Sequence, residues 1–313
     1  MEYLVTGGAG FIGSNMVRML VEQGKSVRVL DDFSTGREEN LAGLSKRVEL
    51  VRGDIRDKDT AGKAVAGVRF VLHLAAVPSV IKSVEDPVLT NSVNIGGMLN
   101  MLVAARDAGA ERFVLASSSS VYGDTVELPK RENMTPQPLA PYALQKLTGE
   151  HYCAVFHQLY GLRTYALRFF NVYGPRQNPD SEYAAAVPRF IRLLSDGKPP
   201  TIFGDGNQTR DFSFVADVVQ ACLVCCKAPD SAAGKVFNVA GDNRTSVNQL
   251  VDCIKKILGS TVKPIYADAR KGDVRDSHAD ITRAKKILGW EPTVVLKEGL
   301  ERTVEWFRGG QPA

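Results

Sequence analysis

The segment TGGAGFIG, residues 6–13, constrains the fold of this 313-residue chain more than any other. It follows the strand-like run EYLV and opens the helix-like run FIGSNMVRMLVEQG. Gly7 permits a tight turn, Gly10 lets a backbone approach a diphosphate, and Gly13 allows the helix to pack closely on the strand. The first N–H groups of the helix then face the anion. Although the glycine spacing differs from G-x-G-x-x-G, the pattern predicts a dinucleotide-binding unit.

Strand-like and helix-like segments alternate through the first half of the chain. The strand-like runs include SVRVLDD, VELVRGD, RFVLHLAA and RFVLASS. This alternation predicts an α/β fold of the Rossmann type with a doubly wound parallel sheet. Beyond Gly174 the sequence is richer in loops. We therefore predict a dinucleotide-binding domain over residues 1–174, which later segments complete with a strand and a helix, and a smaller α/β substrate-binding domain over residues 175–313.

An acidic residue, Asp31, ends the second predicted strand about 20 residues after the glycine turn. A carboxylate here accepts hydrogen bonds from the adenosine ribose and disfavours a 2′-phosphate, so the sequence predicts NAD. Arg37 leaves NADP as an alternative. The residues predicted to bind NAD in this part of the chain are Gly7, Gly10, Phe11, Ile12, Gly13, Asp31, Asp32, Ser34, Thr35, Gly36, Asp54, Ile55, Leu74, Ala75, Ala76 and Asn94.

Four hydroxyls follow a strand-like run in ASSSSVYGD, residues 116–124. Downstream, PYALQK places Tyr142 and Lys146 four residues apart, on one face of a predicted helix. A phenol titrates near ~10 and is a poor base at neutral pH. A nearby ammonium group, assisted by a positively charged nicotinamide ring, is expected to lower the pKa of Tyr142. Tyr142 is therefore a candidate acid and base.

Taken together, the glycine turn, SSSSVYG, PYALQK and RFFNVYGPRQ resemble the extended short-chain dehydrogenase/reductases. Within that group, GDGNQTRDF and ARKGDVRDSHAD are similar to segments of UDP-sugar 4-epimerases, and the resemblance covers nearly the whole chain. It implies that Ser118, Tyr142 and Lys146 are catalytic. It also implies transient oxidation of the sugar at C4 by a tightly held NAD, rotation of the 4-keto sugar, and hydride return to its other face. Further cofactor contacts implied by the resemblance are Ser117, Tyr142, Lys146 and Phe170.

The resemblance also implies a UDP-sugar site in which arginines clamp the diphosphate, because a planar guanidinium matches phosphate oxygens. Asp273 would bind the uridine ribose. Ser277 stands where 4-epimerases restricted to plain hexoses carry a bulky aromatic residue, so it leaves room for an N-acetyl group. The predicted substrate-binding residues are Ser79, Ser118, Ser119, Ser120, Tyr142, Asn171, Gln177, Val187, Arg210, Arg270, Asp273 and Ser277.

The predicted activity is NAD-dependent interconversion of UDP-GlcNAc and UDP-GalNAc, with UDP-Glc and UDP-Gal as additional substrates. One alternative is a UDP-glucose 4-epimerase restricted to plain hexoses. Another is a UDP-glucuronate 4-epimerase, a group that shares SSSSVYG but typically has threonine at the position of Asn171. A non-catalytic NAD-sensing scaffold is an alternative of a different class. Ser119 and Ser120 replace the Asp-Glu pair of nucleotide-sugar dehydratases, which argues against elimination of water.

Composition and charge limit which partners and which cellular location we expect for the protein. The formal net charge of +4 does not indicate nucleic-acid binding, and no uninterrupted apolar stretch approaches the ~18 residues of a membrane span. Because the N-terminus lacks the basic region of a signal peptide, we expect a cytoplasmic protein. The cluster Cys222, Cys225 and Cys226 is expected to be buried and structural, with no metal bound. The family resemblance implies a homodimer formed through two long helices of each subunit.

Overall fold

The computed structural model describes residues 1–44, 46–179, 185–269 and 275–309. The strands are β1 (Tyr3–Thr6), β2 (Val27–Asp31), β3 (Val48–Arg52), β4 (Phe70–His73), β5 (Arg112–Ser118), β6 (Arg163–Phe169), β7 (Val172–Tyr173), β8 (Thr201–Phe203), β9 (Thr209–Arg210), β10 (Ser213–Phe214), β11 (Lys235–Val239), β12 (Thr245–Ser246) and β13 (Ile265–Ala267).

The helices connect these strands and pack on both faces of the main sheet. They are α1 (Phe11–Glu22), α2 (Lys58–Val65), α3 (Val80–Glu85), α4 (Pro87–Asn91), α5 (Met98–Asp107), α6 (Pro141–Tyr160), α7 (Ala186–Ser195), α8 (Val215–Cys225), α9 (Val247–Leu258) and α10 (Leu296–Arg308). Short 3-10 segments lie at Glu38–Leu41, Ser119–Tyr122 and Asp230–Ala232, and π-type turns at Ser92–Gly97 and Ala284–Leu288.

A parallel sheet with the strand order β11-β6-β5-β4-β1-β2-β3 forms the centre of the described chain. The chain extends the sheet from β1 to β3 in one direction and from β4 through β6 to β11 in the other. The sheet is therefore doubly wound, and the predicted fold class is confirmed. Its edge strand β11 comes from the second half of the sequence, between α8 and α9.

The strand order reverses between β1 and β4, whose carboxyl ends lie side by side, with Thr6 paired to His73. The turn after β1 also contacts the segment after β4, since a Cβ on Gly7 would lie 2.9 Å from the backbone nitrogen of Ala75. Open α/β sheets bind ligands in the crevice at such a reversal. The fold therefore places a binding site over these strand ends.

Two apolar clusters cover the two faces of the sheet, and neighbouring strand residues alternate between them. Leu4 belongs to the cluster with Met101 of α5, whereas Val5 belongs to the cluster with Met16 of α1. This alternation follows from the twofold side-chain period of a strand. The α1 cluster continues to Leu300 of α10, so the later helices share a core with the sheet.

The helical segment that begins at Pro87 contains a π-type turn between α4 and α5. By length and composition alone, the segment Pro87–Asp107 is apolar enough to cross a membrane. Met101 and Leu102 of this segment are fully buried in the core on the α2 side of the sheet. Core helices meet the same length and composition criteria, so this segment is not evidence for a membrane span.

The three clustered cysteines are buried in and directly after α8. Burial raises the pKa of the Cys226 thiol to about 12, so this thiol is not reactive at neutral pH. Within the described residues, no group of three or more His, Cys, Asp or Glu side chains could hold a metal ion. The cluster is part of the hydrophobic core.

Candidate active site

The glycine turn holds α1 directly against the end of β1. Gly7 has a φ of 68°, and a Cβ on Gly13 would lie 2.1 Å from the carbonyl oxygen of Gly7. Gly10 precedes the helix, and no side chain of the described residues caps it there. The first N–H groups of α1 therefore remain available to an anion. This geometry fits the diphosphate of a dinucleotide.

Asp31 lies at the end of β2 and is anchored to the glycine turn. Its Oδ2 accepts the N–H of Ala9 at 2.8 Å, and its Oδ1 accepts the N–H of Phe33 at 2.8 Å. Burial raises the pKa of Asp31, and the two backbone bonds oppose that shift. A carboxylate oxygen can accept more than one hydrogen bond, so Asp31 can accept from ribose hydroxyls while it still holds these two N–H groups. Gly36 leaves space beside the Asp31 carboxylate, because a Cβ at position 36 would lie 2.8 Å from Asp31 Oδ1.

The other residues predicted to bind the cofactor in this part of the chain lie in the segments that follow β1, β2, β3 and β4. Asp32 accepts both the N–H and the hydroxyl of Ser34. Asp54 pairs with Arg56, which lowers the pKa of Asp54. Ile55 packs against Gly97. The remaining positions are Phe11, Ile12, Leu74, Ala75 and Ala76, which are partly buried, and Thr35, which is exposed.

Ser118, Tyr142 and Lys146 come together at the end of β5. The Ser118 hydroxyl lies close enough to the Tyr142 phenol to act on its pKa. Lys146 Nζ donates to the carbonyl oxygen of Ala116 at 2.9 Å and lies 5.7 Å from the centre of the Tyr142 ring. Ser118 Oγ also accepts the N–H of Ser120 at 3.2 Å and its hydroxyl at 2.9 Å. The three predicted catalytic side chains are therefore adjacent.

Burial controls the protonation of these side chains. It raises the pKa of Tyr142 to about 12, while the Ser118 hydroxyl acts in the opposite direction. It lowers the pKa of Lys146 to about 8. The expectation that Lys146 and a positively charged nicotinamide ring together lower the pKa of Tyr142 stays a prediction. A phenolate at neutral pH requires additional positive charge beside the ring.

The side chains of Ser117 and His73 make hydrogen bonds within the core. The Ser117 hydroxyl donates to Glu150 Oε1 at 2.5 Å, and Glu150 forms a buried ion pair with Arg168 at 2.7 Å. Ser117, predicted at the cofactor, can therefore offer it mainly backbone atoms. His73 Nδ1 lies 2.9 Å from Thr6 Oγ1, and burial lowers the pKa of His73 to about 3. His73 is thus neutral and structural.

A cavity of about 290 Å³ lies beyond the end of β6. Three of the predicted substrate residues line it: Asn171, Val187 and Arg210. The rest of its wall is largely apolar and includes Phe190 and Phe212. Asn171 has a φ of 33°, and its amide donates to the carbonyl oxygen of Asp211 at 3.0 Å. The cavity thus combines a guanidinium group with apolar walls.

Further predicted substrate residues lie on the adjoining segments. Gln177 Nε2 donates to the carbonyl oxygen of Val172 at 3.2 Å, and its buried Oε1 has no partner among the described residues. The Ser277 N–H donates to the carbonyl oxygen of Thr209 at 3.0 Å. The other predicted substrate residues are Ser79, which caps α3, Ser119, which begins a 3-10 segment, and Arg270 and Asp273, which lie outside the described residues. Phe170, predicted at the cofactor, is buried after β6.

Sequence reasoning missed a buried amide framework behind the site. Asn94, predicted at the cofactor, accepts the N–H of Val77 at 2.8 Å and donates to Gln145 Oε1 at 2.8 Å. Gln145 Nε2 in turn donates to Thr90 Oγ1 at 3.0 Å. Gln145 and Thr90 are buried only because α4 and α6 pack together. The local sequence pattern therefore carries no signal for them.

Comparison with known proteins identifies the family. The model of the NAD-dependent epimerase/dehydratase family matches residues 3–240. The chain belongs to this family. The predicted family and the predicted cofactor, NAD, are confirmed.

This epimerase/dehydratase family member is 43% identical over 312 residues to UDP-glucose 4-epimerase of Mycolicibacterium smegmatis, covering 98% of this chain and 99% of that protein. It is 34% identical over 316 residues to UDP-glucuronate 4-epimerase of Thermodesulfobacterium geofontis, covering 98% of this chain and 96% of that protein. Among solved structures, UDP-N-acetylglucosamine 4-epimerase of Methanobrevibacter ruminantium in complex with UDP-N-acetylmuramic acid has a TM-score of 0.94 at 36% identity, covering 98% of each chain. All three of these proteins are named as 4-epimerases of UDP-sugars, but each name gives a different sugar.

Proposed function

We propose that the chain is an NAD-dependent UDP-sugar 4-epimerase that interconverts UDP-GlcNAc and UDP-GalNAc, with UDP-Glc and UDP-Gal as additional substrates. The observation that carries this proposal is the grouping of Ser118, Tyr142 and Lys146 at the end of β5. Such a group suits proton transfer to and from a sugar hydroxyl. The names of the relatives support C4 as the reacting carbon.

The glycine turn, the N-terminus of α1 and Asp31 would hold the dinucleotide. When bound, NAD supplies a reversible hydride acceptor and the positive charge that the Tyr142 phenol lacks in the protein alone. Lys146 remains fixed to the backbone of β5 and holds its charge near the Tyr142 ring. These residues therefore set the position and acidity of one phenol.

The hydrogen bonds of Ser118 determine where its own proton points. Because Ser118 Oγ accepts both the N–H and the hydroxyl of Ser120, its hydrogen is free for Tyr142 or for the sugar oxygen. Ser118 thereby orients the 4-hydroxyl. Tyr142 takes the proton of that hydroxyl at Oη and returns it when the opposite epimer forms.

The cavity beyond β6 suits the nucleotide part of the substrate. Arg210 offers a planar guanidinium for diphosphate oxygens, and the apolar wall with Phe190 and Phe212 suits a nucleobase. Gln177 lies beside this cavity, because its Nε2 donates to the carbonyl oxygen of the wall residue Val172. The cavity begins at Asn171, directly after β6, next to the strand that carries Ser118.

Ser277 supports the preference for N-acetylated sugars. Its backbone is fixed to Thr209 next to Arg210, so its short side chain stands near the nucleotide cavity. A small residue leaves space for an acetamido group at C2. UDP-glucose and UDP-glucuronate are the alternative substrates, and they occur among the relatives' names.

A substrate panel tests this proposal. We expect the purified protein, without added NAD, to convert UDP-GlcNAc, UDP-GalNAc, UDP-Glc and UDP-Gal, but not UDP-GlcA, in chromatographic product analysis. Ser277→Tyr is expected to lower kcat/KM for UDP-GlcNAc by about 10- to 100-fold through steric overlap, with UDP-Glc much less affected. Ser260→Tyr is the control, because Ser260 follows α9 and its hydrogen bonds are local, to Lys255 and Val262. Conversion of UDP-GlcA alone would refute the assigned substrate.

We also propose that the protein forms a homodimer through α6 and its neighbours. Leu144, Val155 and Leu159 of α6 are 54%, 43% and 65% exposed, and Val84 and Val88 on α3 and α4 are 63% and 79% exposed. Because α3 and α4 pack against α6, these apolar side chains belong to adjoining surfaces. Sedimentation velocity should give a dimer, and Leu159→Glu should shift it toward monomer; a monomeric wild type would contradict this proposal.

A further inference from the structure

The first turn of α6 is capped by a residue from another helix. α6 begins at Pro141, and the preceding Ala140 has no side-chain group that could cap it. The N–H of Tyr142 is one of the donors that a helix cannot satisfy internally. It donates to Ser83 Oγ at 3.0 Å, and Ser83 is 0% exposed. A buried hydroxyl of α3 therefore replaces the missing cap.

The orientation of the Ser83 hydroxyl is fixed from both sides. It donates its hydrogen to the carbonyl oxygen of Val80 at 2.6 Å and accepts from the N–H of Tyr142. α3 is itself capped by Ser79, which accepts the N–H of Lys82 at 3.1 Å. A displacement of α3 is consequently transmitted to the backbone of the proposed acid and base.

A second hydrogen bond, between α6 and α4, lies about one turn further along α6. Gln145 Nε2 donates to Thr90 Oγ1 at 3.0 Å, and both residues are buried. Ser83 of α3 and Thr90 of α4 thus accept hydrogen bonds from Tyr142 and Gln145 of α6, respectively. Together they fix the helical turn that lies between Tyr142 and Lys146.

We propose that Ser83 is a positioning residue for Tyr142, with Thr90 in a supporting role. This inference rests on the proposed 4-epimerase function. Tyr142 must come within hydrogen-bond distance of the sugar hydroxyl for proton transfer, and a misplacement of about 1 Å can lower a rate about 100-fold. Ser83 acts through the backbone N–H of Tyr142 rather than by touching the sugar.

Ser83→Ala removes the hydroxyl without adding bulk. We expect kcat for the 4-epimerisation of UDP-GlcNAc to fall about 10-fold or more, with KM changed less than about twofold and bound NAD retained. Ser92→Ala is the matched control. Ser92 donates to the carbonyl oxygen of Leu89 at 2.7 Å, the same bond within a helix, and has no bond to α6 among the described residues.

Thr90→Val keeps the shape of the side chain and removes the acceptor for Gln145, so it provides a second variant should Ser83→Ala fold poorly. It is expected to lower kcat with little change in KM. A lower Tm with unchanged kcat in both variants would show a purely structural role and overturn the inference. An equal fall of kcat in Ser92→Ala would overturn it as well. A wild-type protein that converts no UDP-sugar would instead overturn the proposed function and, with it, this inference.

Discussion

Tyr142→Phe is expected to lower kcat for 4-epimerisation by about 100- to 10,000-fold while the protein keeps its NAD. The substitution removes only the Oη atom, on which the Ser118 hydroxyl acts. The ring remains beside Lys146, whose bond to the backbone of Ala116 is not altered. The loss should therefore be confined to proton transfer. Product analysis gives kcat, and absorbance of the dinucleotide released on denaturation gives the NAD content.

Tyr152→Phe on the same helix is the control. Tyr152 lies ten residues further along α6, packs against the core cluster that contains Met101, and has no hydrogen bond to Ser118 among the described residues. It should retain kcat within about twofold. A Tyr142→Phe protein with wild-type kcat would show that another group moves the proton.

Gly13→Ala is expected to abolish stable NAD binding. The added Cβ would lie 2.1 Å from the carbonyl oxygen of Gly7 and 2.8 Å from the Cα of Gly8. Both are backbone atoms of the turn, so α1 must move away from β1. That movement displaces the helix N-terminus from the diphosphate position and costs about 1–3 kcal/mol of stability. The measurements are the NAD content of the purified variant and its unfolding free energy.

Gly62→Ala is the matched control for this substitution. Gly62 is exposed within α2, and a Cβ there meets nothing within 4 Å in the described part of the chain. Alanine is the better helix former, so we expect unchanged NAD content and a gain of about 0.5–1 kcal/mol. A Gly13→Ala protein that still carries one NAD per chain would contradict the role of the turn.

Sequence alone predicted the parts of the site that follow from spacing and strand order. Tyr142 and Lys146 share a helix face because they are four residues apart, and Gly7 and Gly13 mark a tight strand–helix junction. Ser118 ends β5 beside β4, so the sheet edge brings it to the same cleft. These relations are local or follow from the parallel sheet.

The parts that sequence missed depend on tertiary packing. Ser83 and Gln145 look like ordinary helical residues until α3, α4 and α6 meet and bury them. Burial likewise acts against the expected lowering of the Tyr142 pKa, and the sequence shows a nearby lysine but not this loss of solvent. Ser117 is adjacent to the reactive serine in sequence, yet its hydroxyl is bonded to Glu150 in the core.

The fate of the hydrogen at C4 tests the central claim most directly. UDP-GlcNAc labelled with deuterium at C4 should be converted without added NAD, and the UDP-GalNAc formed should keep its deuterium at C4, as measured by mass spectrometry and NMR. This result is expected because the hydrogen removed at the site is returned to the same carbon. Exchange of the label for solvent hydrogen during turnover would contradict the account.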